Sequence, residues 1–245
     1  MNDQQPIQPG DIIEGQLNPE ERALITNSIL HAPVKPRIAL EVGTWYGGGS
    51  TLHILRALER NGVGHLYGIE ADSSIYERMV ANIRKAAPEA ATRFTPVFGF
   101  SEDALPKWIA QQGKNLVVDF AFLDGGNNPM EQIMEFSLLD KYMPVGAQLL
   151  AHDAKKRKGK YLVPYMGLLD NWETQLNDLS EYGMFYARKC REFPSESSLK
   201  AAKKKLRQLR IEPKEIAATI LPRWFCGIFL NMIPKRLSSA LAEQK

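Results

Sequence analysis

The chain has 245 residues, of which 44% are hydrophobic and 24% charged, and its formal net charge at pH 7 is +3. This composition excludes wholesale disorder and collagen-like structure, and so small a net charge gives no reason to expect a nucleic-acid partner. Two cysteines and four histidines exclude a cysteine-rich or histidine-rich metal scaffold. Cysteines without a pairing pattern indicate a reducing, cytoplasmic setting. The polar N-terminus does not resemble a signal peptide, and no apolar window reaches the ~18 residues of a membrane-spanning helix.

The charge is unevenly distributed along the chain. Residues 200–245 hold eleven Lys or Arg and three Asp or Glu, a net charge of +8, so the preceding residues together carry −5. This contrast divides the chain into three predicted parts. They are an N-terminal arm and helix at residues 1–36, a central domain at residues 37–191 and a basic and apolar helical extension at residues 192–245.

The first predicted element is a helix that begins after Asn18, where a cap residue is followed by Pro and two Glu residues. After it, apolar β-rich runs alternate with segments of helical periodicity. The predicted strands cover residues 37–42, 66–69, 93–98, 117–123 and 145–151. The predicted helices between them cover residues 50–60, 73–86, 102–111 and 129–142. Continuously apolar strands that alternate with helices indicate a parallel sheet covered on both faces.

Two more strands and a helical extension complete the prediction. After a helical segment at residues 162–169, a hairpin is predicted from residues 172–176 and 184–187, which gives about seven strands. A basic amphipathic helix is predicted at residues 199–211, and a second, apolar segment at residues 216–233. We therefore expect an α/β fold with a mostly parallel sheet, helices on both faces and a C-terminal helical extension.

The ends of the predicted strands carry the functional information, because ligands of open parallel sheets bind beyond the carboxyl ends of the strands. The first strand contains Glu41, and a glycine-rich segment at residues 43–49 then leads to Ser50 at a helix start. Glycine allows close approach of a ligand, and a helix N-terminus favours an anionic group. The dinucleotide pattern G-x-G-x-x-G is not met, because Leu52 stands where its third glycine belongs. Glu41 suits a cationic group, and Glu70, after the second strand, suits ribose hydroxyls.

Together these strand ends resemble class I S-adenosylmethionine-dependent methyltransferases, over residues 37–189. The resemblance is carried by Glu41-x-Gly43, by Glu70, by Gly99-x-Ser101-Glu102 and by Asp124. It implies a Rossmann-like seven-stranded sheet whose last strand is antiparallel, with S-adenosylmethionine as the cofactor. In such a fold the first strand end and its loop hold the methionine portion, the second binds the ribose and the third lies near the adenine. The cofactor-binding residues that it implies are Glu41, Gly43, Thr44, Tyr46, Gly47, Gly49, Ser50, Glu70, Ser101, Glu102 and Asp124.

The segments FLDGGN (residues 122–127) and LLAHD (residues 149–153) resemble the small-molecule O-methyltransferases, which include the catechol and macrolide-sugar enzymes. Many of these bind Mg²⁺, which holds the substrate hydroxyl and lowers its pKa. The resemblance implies catalytic roles for Asp124, His152 and Asp153. His152 stands where these families have a carboxylate, so it is either a ligand of a divalent metal, completing a set with the two aspartates, or a general base without a metal.

The expected function is therefore methyl transfer from S-adenosylmethionine to a hydroxyl of a small molecule. The alternatives are metal-independent methylation, N-methylation, or a non-catalytic cofactor-binding scaffold; Asn127 favours the scaffold because sugar enzymes often place a histidine base there. The basic run at residues 155–160 is either a solvated loop or a rim that attracts an anionic acceptor. The extension at residues 199–245 is predicted to pack on the core or on a second subunit in a homo-oligomer, to contact a membrane surface, or to cover the acceptor pocket.

Overall fold

A computed structural model describes residues 13–210, which form one seven-stranded sheet between two layers of helices. The strands are β1 (Ile38–Val42), β2 (His65–Glu70), β3 (Phe94–Phe98), β4 (Phe120–Leu123), β5 (Gln148–Ala151), β6 (Trp172–Asn177) and β7 (Met184–Lys189). The helices are α1 (Pro19–Leu30), α2 (Thr51–Asn61), α3 (Ser73–Ala86), α4 (Pro88–Ala91), α5 (Ser101–Gln112), α6 (Pro129–Leu139), α7 (Leu162–Met166) and α8 (Glu196–Arg210).

The strand order is β3-β2-β1-β4-β5-β7-β6, with β1 to β5 parallel and β7 antiparallel to both β5 and β6. The Rossmann-like fold predicted from the sequence, with seven strands and an antiparallel last strand, is confirmed. Successive strands are added on one side from β1 to β3 and on the other side from β4 onward. The carboxyl ends of β1 and β4 therefore flank the point where ligands bind in open sheets of this kind.

The core consists of one apolar layer on each face of the sheet. Along β4, Phe120 and Phe122 pack on the side of α1 to α4, whereas Ala121 and Leu123 pack on the side of α5 to α8. All four side chains are fully buried. Because alternate residues of a strand point to opposite faces, a strand covered on both faces is apolar at every position. This is the physical reason that the continuous apolar runs predicted the sheet correctly.

The structure differs from the predicted limits mainly at β4 and β5, which both begin three residues later than expected. The side-chain carboxylate of Asp119 accepts hydrogen bonds from the backbone N–H groups of Arg37 (2.8 Å) and Ile38 (3.1 Å). The Asp119 side chain thus adds to the backbone bonds that Asp119 still makes with Ile38 and Gln148, and Val117, two residues earlier, is 44% exposed. At the end of α6, the chain continues as a 3₁₀ turn over Asp140–Tyr142 instead of an α-helix.

The two flanking helices pack on the core. Asn18 and Glu21 form a complete capping box at the start of α1, as the prediction of a helix start there requires. Helix α8 packs against α7 through the fully buried Ala202, and its basic side chains cover the outer surface. The predicted apolar segment at residues 216–233 and most of the N-terminal arm lie outside the described residues. Within residues 13–210, no helix has the length and apolar character needed to span a membrane.

Candidate active site

A cavity of about 900 Å³ lies along the carboxyl ends of the parallel strands. This volume is in the range of small-molecule sites, about 300–1,000 Å³. Predicted site residues that line it are Gly43, Glu70, Ser101, Glu102, Asp124, His152 and Asp153. The cavity wall also includes Gln16, Trp45, Lys158 and Tyr182, none of which the sequence placed in the site.

Gly43 connects the two halves of the sheet at the point where the strand order diverges. Its φ angle is +84°, and a Cβ atom there would lie 2.3 Å from the carbonyl oxygen of Asp124. A side chain at this position is therefore excluded both by backbone conformation and by space. The absence of a side chain lets the end of β1 lie directly against the end of β4.

The other glycines of the loop serve a different purpose. The segment that precedes α1 crosses over the loop, and a Cβ on Gly48 would lie 2.1 Å from the carbonyl oxygen of Ile13. A Cβ on Gly15 would lie 2.2 Å from the backbone nitrogen of Gly49. The glycines thus allow two stretches of backbone to touch. Of the predicted loop residues, Thr44, Tyr46, Gly47, Gly49 and Ser50 do not line the cavity within the described chain.

Tyr46 faces away from the cavity wall. The guanidinium of Arg78, on α3, lies 4.0 Å from the centre of its ring. Its neighbour Trp45, which does line the cavity, has an unusual φ angle of +49° for a non-glycine residue. Of the two adjacent aromatic residues of this loop, Trp45 lines the cavity, and Tyr46, which the sequence singled out for cofactor binding, does not.

Glu41 is fully buried beneath the glycine loop and does not form part of the cavity wall. It accepts a hydrogen bond from the Ser50 hydroxyl through Oε1, and its Oε2 atom has no partner among residues 13–210. Burial raises the pKa of Glu41 to about 8, although the hydroxyls of Ser50 and Thr51 oppose the shift. The side chain therefore supports the loop from below, in its neutral form at pH 7.

Glu70 stands at the cavity wall in a fixed orientation. Its Oε2 atom accepts the backbone N–H of Trp45 (3.0 Å), and its Oε1 atom accepts those of Ala71 (2.9 Å) and Asp72 (3.1 Å). Three backbone donors hold the carboxylate between the glycine loop and the start of α3. The geometry of this end of the cavity is therefore set by main-chain atoms.

At the other end of the cavity, one lysine joins the two predicted acids. The Lys158 ammonium lies 2.8 Å from Oδ1 of Asp124 and 2.7 Å from Oδ2 of Asp153. Lys158 is only 5% exposed. Burial opposes the charged form, but the two carboxylates outweigh it and raise the pKa of Lys158. The pKa of Asp124 is lowered in turn, because Lys158 and His152 outweigh the effect of its burial.

His152 lies between this lysine–carboxylate group and the N-terminal helix. Its Nε2 atom is 3.3 Å from Oε1 of Glu21, and its Nδ1 atom is 3.4 Å from Oδ1 of Asp124 and 3.7 Å from Oδ1 of Asp153. Burial opposes protonation of the ring, but the surrounding carboxylates outweigh it and raise the pKa of His152. Five ionisable side chains therefore form one connected network: Glu21, Asp124, His152, Asp153 and Lys158.

Glu21 has two tasks in this network. Its Oε2 atom completes the capping box of α1 by accepting the N–H of Asn18, while Oε1 also accepts the hydroxyl of Ser180 at 2.6 Å. It is 2% exposed. The sequence identifies Glu21 only as an acidic residue at a helix start, because no local sequence pattern indicates that α1 lies against the end of β5.

Local backbone geometry directs Lys158 into the site. Asp153 has a left-handed φ of +57°, which turns the chain sharply after β5. The 3₁₀ turn Arg157–Lys160 then brings Gly159 so close to Ala154 that a Cβ would lie 2.2 Å from its carbonyl oxygen. Gly159, a glycine within a basic run, is the sequence signal that could have distinguished the buried Lys158 from its exposed neighbours.

The other lysines of the run do not form an unpaired cationic rim. Lys155 pairs with Asp178 at 2.5 Å, and Lys156 pairs with Glu181 at 3.1 Å, both on the loop between β6 and β7. Both lysines are exposed. Lys155 and Lys156 fit the solvated loop better than the rim that attracts an anionic acceptor. Lys158 fits neither of these two interpretations.

The residues of the site do not fit a bound divalent metal. Asp124, His152 and Asp153 each offer one ligand atom within 4.8 Å of the others, the arrangement that the sequence suggested. However, the Lys158 ammonium already contacts both carboxylates at hydrogen-bond distance. An ion bridging the same two oxygens at the ~2.1 Å that Mg²⁺ requires would collide with that charge and be repelled by it.

Comparison with known proteins agrees with the fold. Residues 40–154 match the family model described as a methyltransferase domain. The structure is similar to an O-methyltransferase from Bacillus cereus in complex with S-adenosylhomocysteine (18% identity, TM-score 0.58, covering 71% of this chain and 82% of the other). It is also similar to a Podospora anserina methyltransferase bound to S-adenosylhomocysteine (11%, 0.56, 72% and 80%) and a Geobacter sulfurreducens methyltransferase (13%, 0.55, 71% and 80%).

A search of curated protein sequences finds no match to the chain. The identities to solved structures are low, so that similarity establishes the fold, while the family match places the methyltransferase domain on the strands and loops that build the cavity. The matched segment includes Gly43, Glu70, Asp124 and His152. Residues 40–154 therefore match a methyltransferase domain, on a fold that the chain shares with solved methyltransferases.

Proposed function

We propose that the protein transfers the methyl group of S-adenosylmethionine to a hydroxyl group of a small molecule, and that it does so without a metal ion. The observation that carries the proposal is the network of Asp124, His152, Asp153 and Lys158 in the same cavity as Glu70. One end of the cavity thus suits a nucleoside cofactor, and the other can hold and deprotonate an acceptor.

The residues at the first end fit S-adenosylmethionine. Gly43 allows the cofactor to approach the backbone, and the locked carboxylate of Glu70 suits a ribose hydroxyl. Ile75 and Phe100 provide apolar surface for the adenine ring, next to Ser101 at the N-terminus of α5. When bound, the cofactor supplies an electrophilic methyl group on a sulfonium sulfur.

His152 is the proposed general base. Glu21 holds the Nε2–H of the imidazole, which leaves Nδ1 on the side of the two aspartates to accept the hydroxyl proton. The surrounding carboxylates stabilise the imidazolium that forms. A base whose pKa lies near the working pH gives the best compromise between availability and proton affinity.

Lys158 is proposed to hold the acceptor oxygen. Two of its three N–H groups face Asp124 and Asp153, and the third can donate to the acceptor hydroxyl. A nearby positive charge favours the deprotonated oxygen. The oxygen then forms a bond to the methyl carbon as the carbon–sulfur bond breaks, the electron pair stays on sulfur as a thioether, and the proton stays on His152.

The core of the proposal is tested by calorimetry with S-adenosylmethionine and S-adenosylhomocysteine. We expect the unmodified chain to bind both, and Glu70→Ala to lose about tenfold or more in affinity, because a hydrogen bond to a charged group is worth about 1.5–3 kcal/mol. Glu59→Ala, an exposed glutamate on α2, is the matched control and should bind as the unmodified chain does. Absence of binding by the unmodified chain would refute the proposal.

The acceptor is identified by mass spectrometry on a reaction that contains isotopically labelled cofactor and an extract of small metabolites. A labelled methyl group on oxygen supports the proposal, and one on nitrogen replaces it with N-methylation. Cofactor binding without any labelled product would favour the scaffold alternative, which Asn127 raised at the sequence level.

A further inference from the structure

We infer that the ammonium group of Lys158 occupies the position that a divalent metal would take between Asp124 and Asp153. Removal of the Lys158 side chain should therefore turn Asp124, His152 and Asp153 into a metal-binding site. The inference deepens the proposed function and rests on it for its catalytic meaning. The cation position itself follows from contacts among the protein's own side chains.

The first step is the position of the charge. The Lys158 ammonium contacts one oxygen of Asp124 and one of Asp153, at 2.8 Å and 2.7 Å, which are short charge-assisted hydrogen bonds. These carboxylates follow β4 and β5, two neighbouring strands. The Lys158 ammonium therefore links two neighbouring strand ends.

The second step is that Lys158 is built into the fold at this point. Its side chain is 6% exposed, compared with 35% for Lys155 and 44% for Lys156. The close contact of Gly159 with Ala154 fixes the turn from which the side chain enters the site. A lysine that is ordered by its backbone and almost completely buried needs carboxylate partners, because an unpaired buried charge is strongly unfavourable.

The third step concerns the ligands that the lysine leaves behind. Without its side chain, two carboxylates and the Nδ1 atom of His152 would face one another within 4.8 Å. Two uncompensated carboxylates in a buried position repel each other, and a divalent cation with oxygen ligands removes that repulsion. His152 adds a nitrogen ligand, which makes Mn²⁺ a better probe than Mg²⁺.

The experiment measures Mn²⁺ binding to the purified full chain from the decrease in the electron paramagnetic resonance signal of free Mn²⁺. We expect no stoichiometric binding by the unmodified chain. Lys158→Ala should bind one ion, with an affinity at least about tenfold above any residual binding by the unmodified chain, because a competing positive charge has been removed. Lys155→Ala, an exposed lysine three residues earlier, is the matched control and should not gain a site.

A second substitution assigns the ligands. Asp124→Asn in combination with Lys158→Ala should abolish the gained site. Lys158→Met, which keeps the volume of the side chain, guards against poor folding of the alanine variant, and circular dichroism reports on folding in every variant. Mn²⁺ should raise the melting temperature of Lys158→Met and leave that of the unmodified chain unchanged, because a ligand that binds only the folded state stabilises it.

Two results would overturn the inference. One is stoichiometric Mn²⁺ binding by the unmodified chain that Asp124→Asn removes, and the other is folded Lys158→Ala and Lys158→Met without any gain in Mn²⁺ binding. Neither measurement needs an acceptor or a methyl-transfer assay. A protein that gains the Mn²⁺ site yet methylates no hydroxyl would refute the proposed reaction and leave the cation position supported.

Discussion

The two ends of the cavity are built by different means. At the β1 and β2 end, a glycine and three backbone N–H groups fix the positions of Gly43 and Glu70. At the β4 and β5 end, long side chains from the first helix and from a turn after β5 converge on His152 and the two aspartates. Main-chain atoms fix the first end, and side chains from segments that the tertiary fold brings together form the second. Variants should therefore affect the two ends separately.

The largest effect is expected at the acceptor end. His152→Ala should lower the rate of methyl transfer by about 100-fold or more, the usual contribution of a general base. Binding of S-adenosylhomocysteine should change little, because the cofactor end lacks contacts with this ring. The rate and the affinity are measured on the same preparation. His65→Ala, at the amino-terminal end of β2, is the control, and a parallel loss of cofactor affinity in His152→Ala would contradict the separation of the two ends.

The next largest effect is expected where the two ends meet. Gly43→Ala and Gly62→Ala both place a side chain at a positive φ angle, which costs about 1–2 kcal/mol. Only at Gly43 does the new Cβ also meet the Asp124 carbonyl oxygen, whereas nothing lies within 4 Å at Gly62. Urea unfolding should therefore show the larger loss of stability for Gly43→Ala, with weaker cofactor binding. Equal losses of stability in the two variants would show that the close contact between the new Cβ and the Asp124 carbonyl oxygen adds nothing to the cost at Gly43.

A smaller effect is expected from Glu41, which is buried beneath the loop and accepts a hydrogen bond from Ser50. Burial raises the pKa of Glu41 in the folded protein to about 8 from its ordinary value of 4.5, while Ser50 and Thr51 oppose the shift and Asp124 and Glu70 add to it. The folded chain therefore holds one more proton than the unfolded chain between these pH values. Its free energy of unfolding falls as pH rises through this window, by at most about 1.4 kcal/mol per pH unit.

Glu41→Gln should remove this part of the pH dependence, since glutamine does not titrate. The free energy of unfolding of Glu41→Gln should therefore rise relative to that of the unmodified chain as the pH increases from 5 to about 8. Denaturant unfolding at several pH values measures it, and other titrating groups cancel in the comparison. A constant difference across this range would show that Glu41 is ionised in the folded state.

The smallest effect is expected at the exposed lysines. Lys155→Ser and Lys156→Ser break ion pairs at the surface, and such pairs contribute about 0–1 kcal/mol. The KM for the acceptor should change by less than about twofold, as measured by steady-state kinetics in low salt. A steep rise in KM would instead support the rim that attracts an anionic acceptor.

The fold was largely predictable because its signals are local. The apolar runs, the cap at Asn18 and the spacing of turns each follow from a few neighbouring residues, and the sheet forms as they require. The contact between the Asp119 side chain and Ile38, 81 residues away, at the start of β4 was not predictable. A side-chain contact of this kind leaves no mark on the hydrophobic pattern.

The sequence by itself determined the strand ends and thus the residue types available to the cavity: Gly43, Glu70, Asp124, His152 and Asp153. It could do so because a parallel sheet places every strand end at one edge, whatever the details of packing. Only the tertiary structure decided what these residues contact. It buried Glu41 beneath the loop, brought Glu21 to His152 and directed one lysine of a basic run between two aspartates. Charge interactions over a few ångströms depend on distance in space, which chain position does not specify.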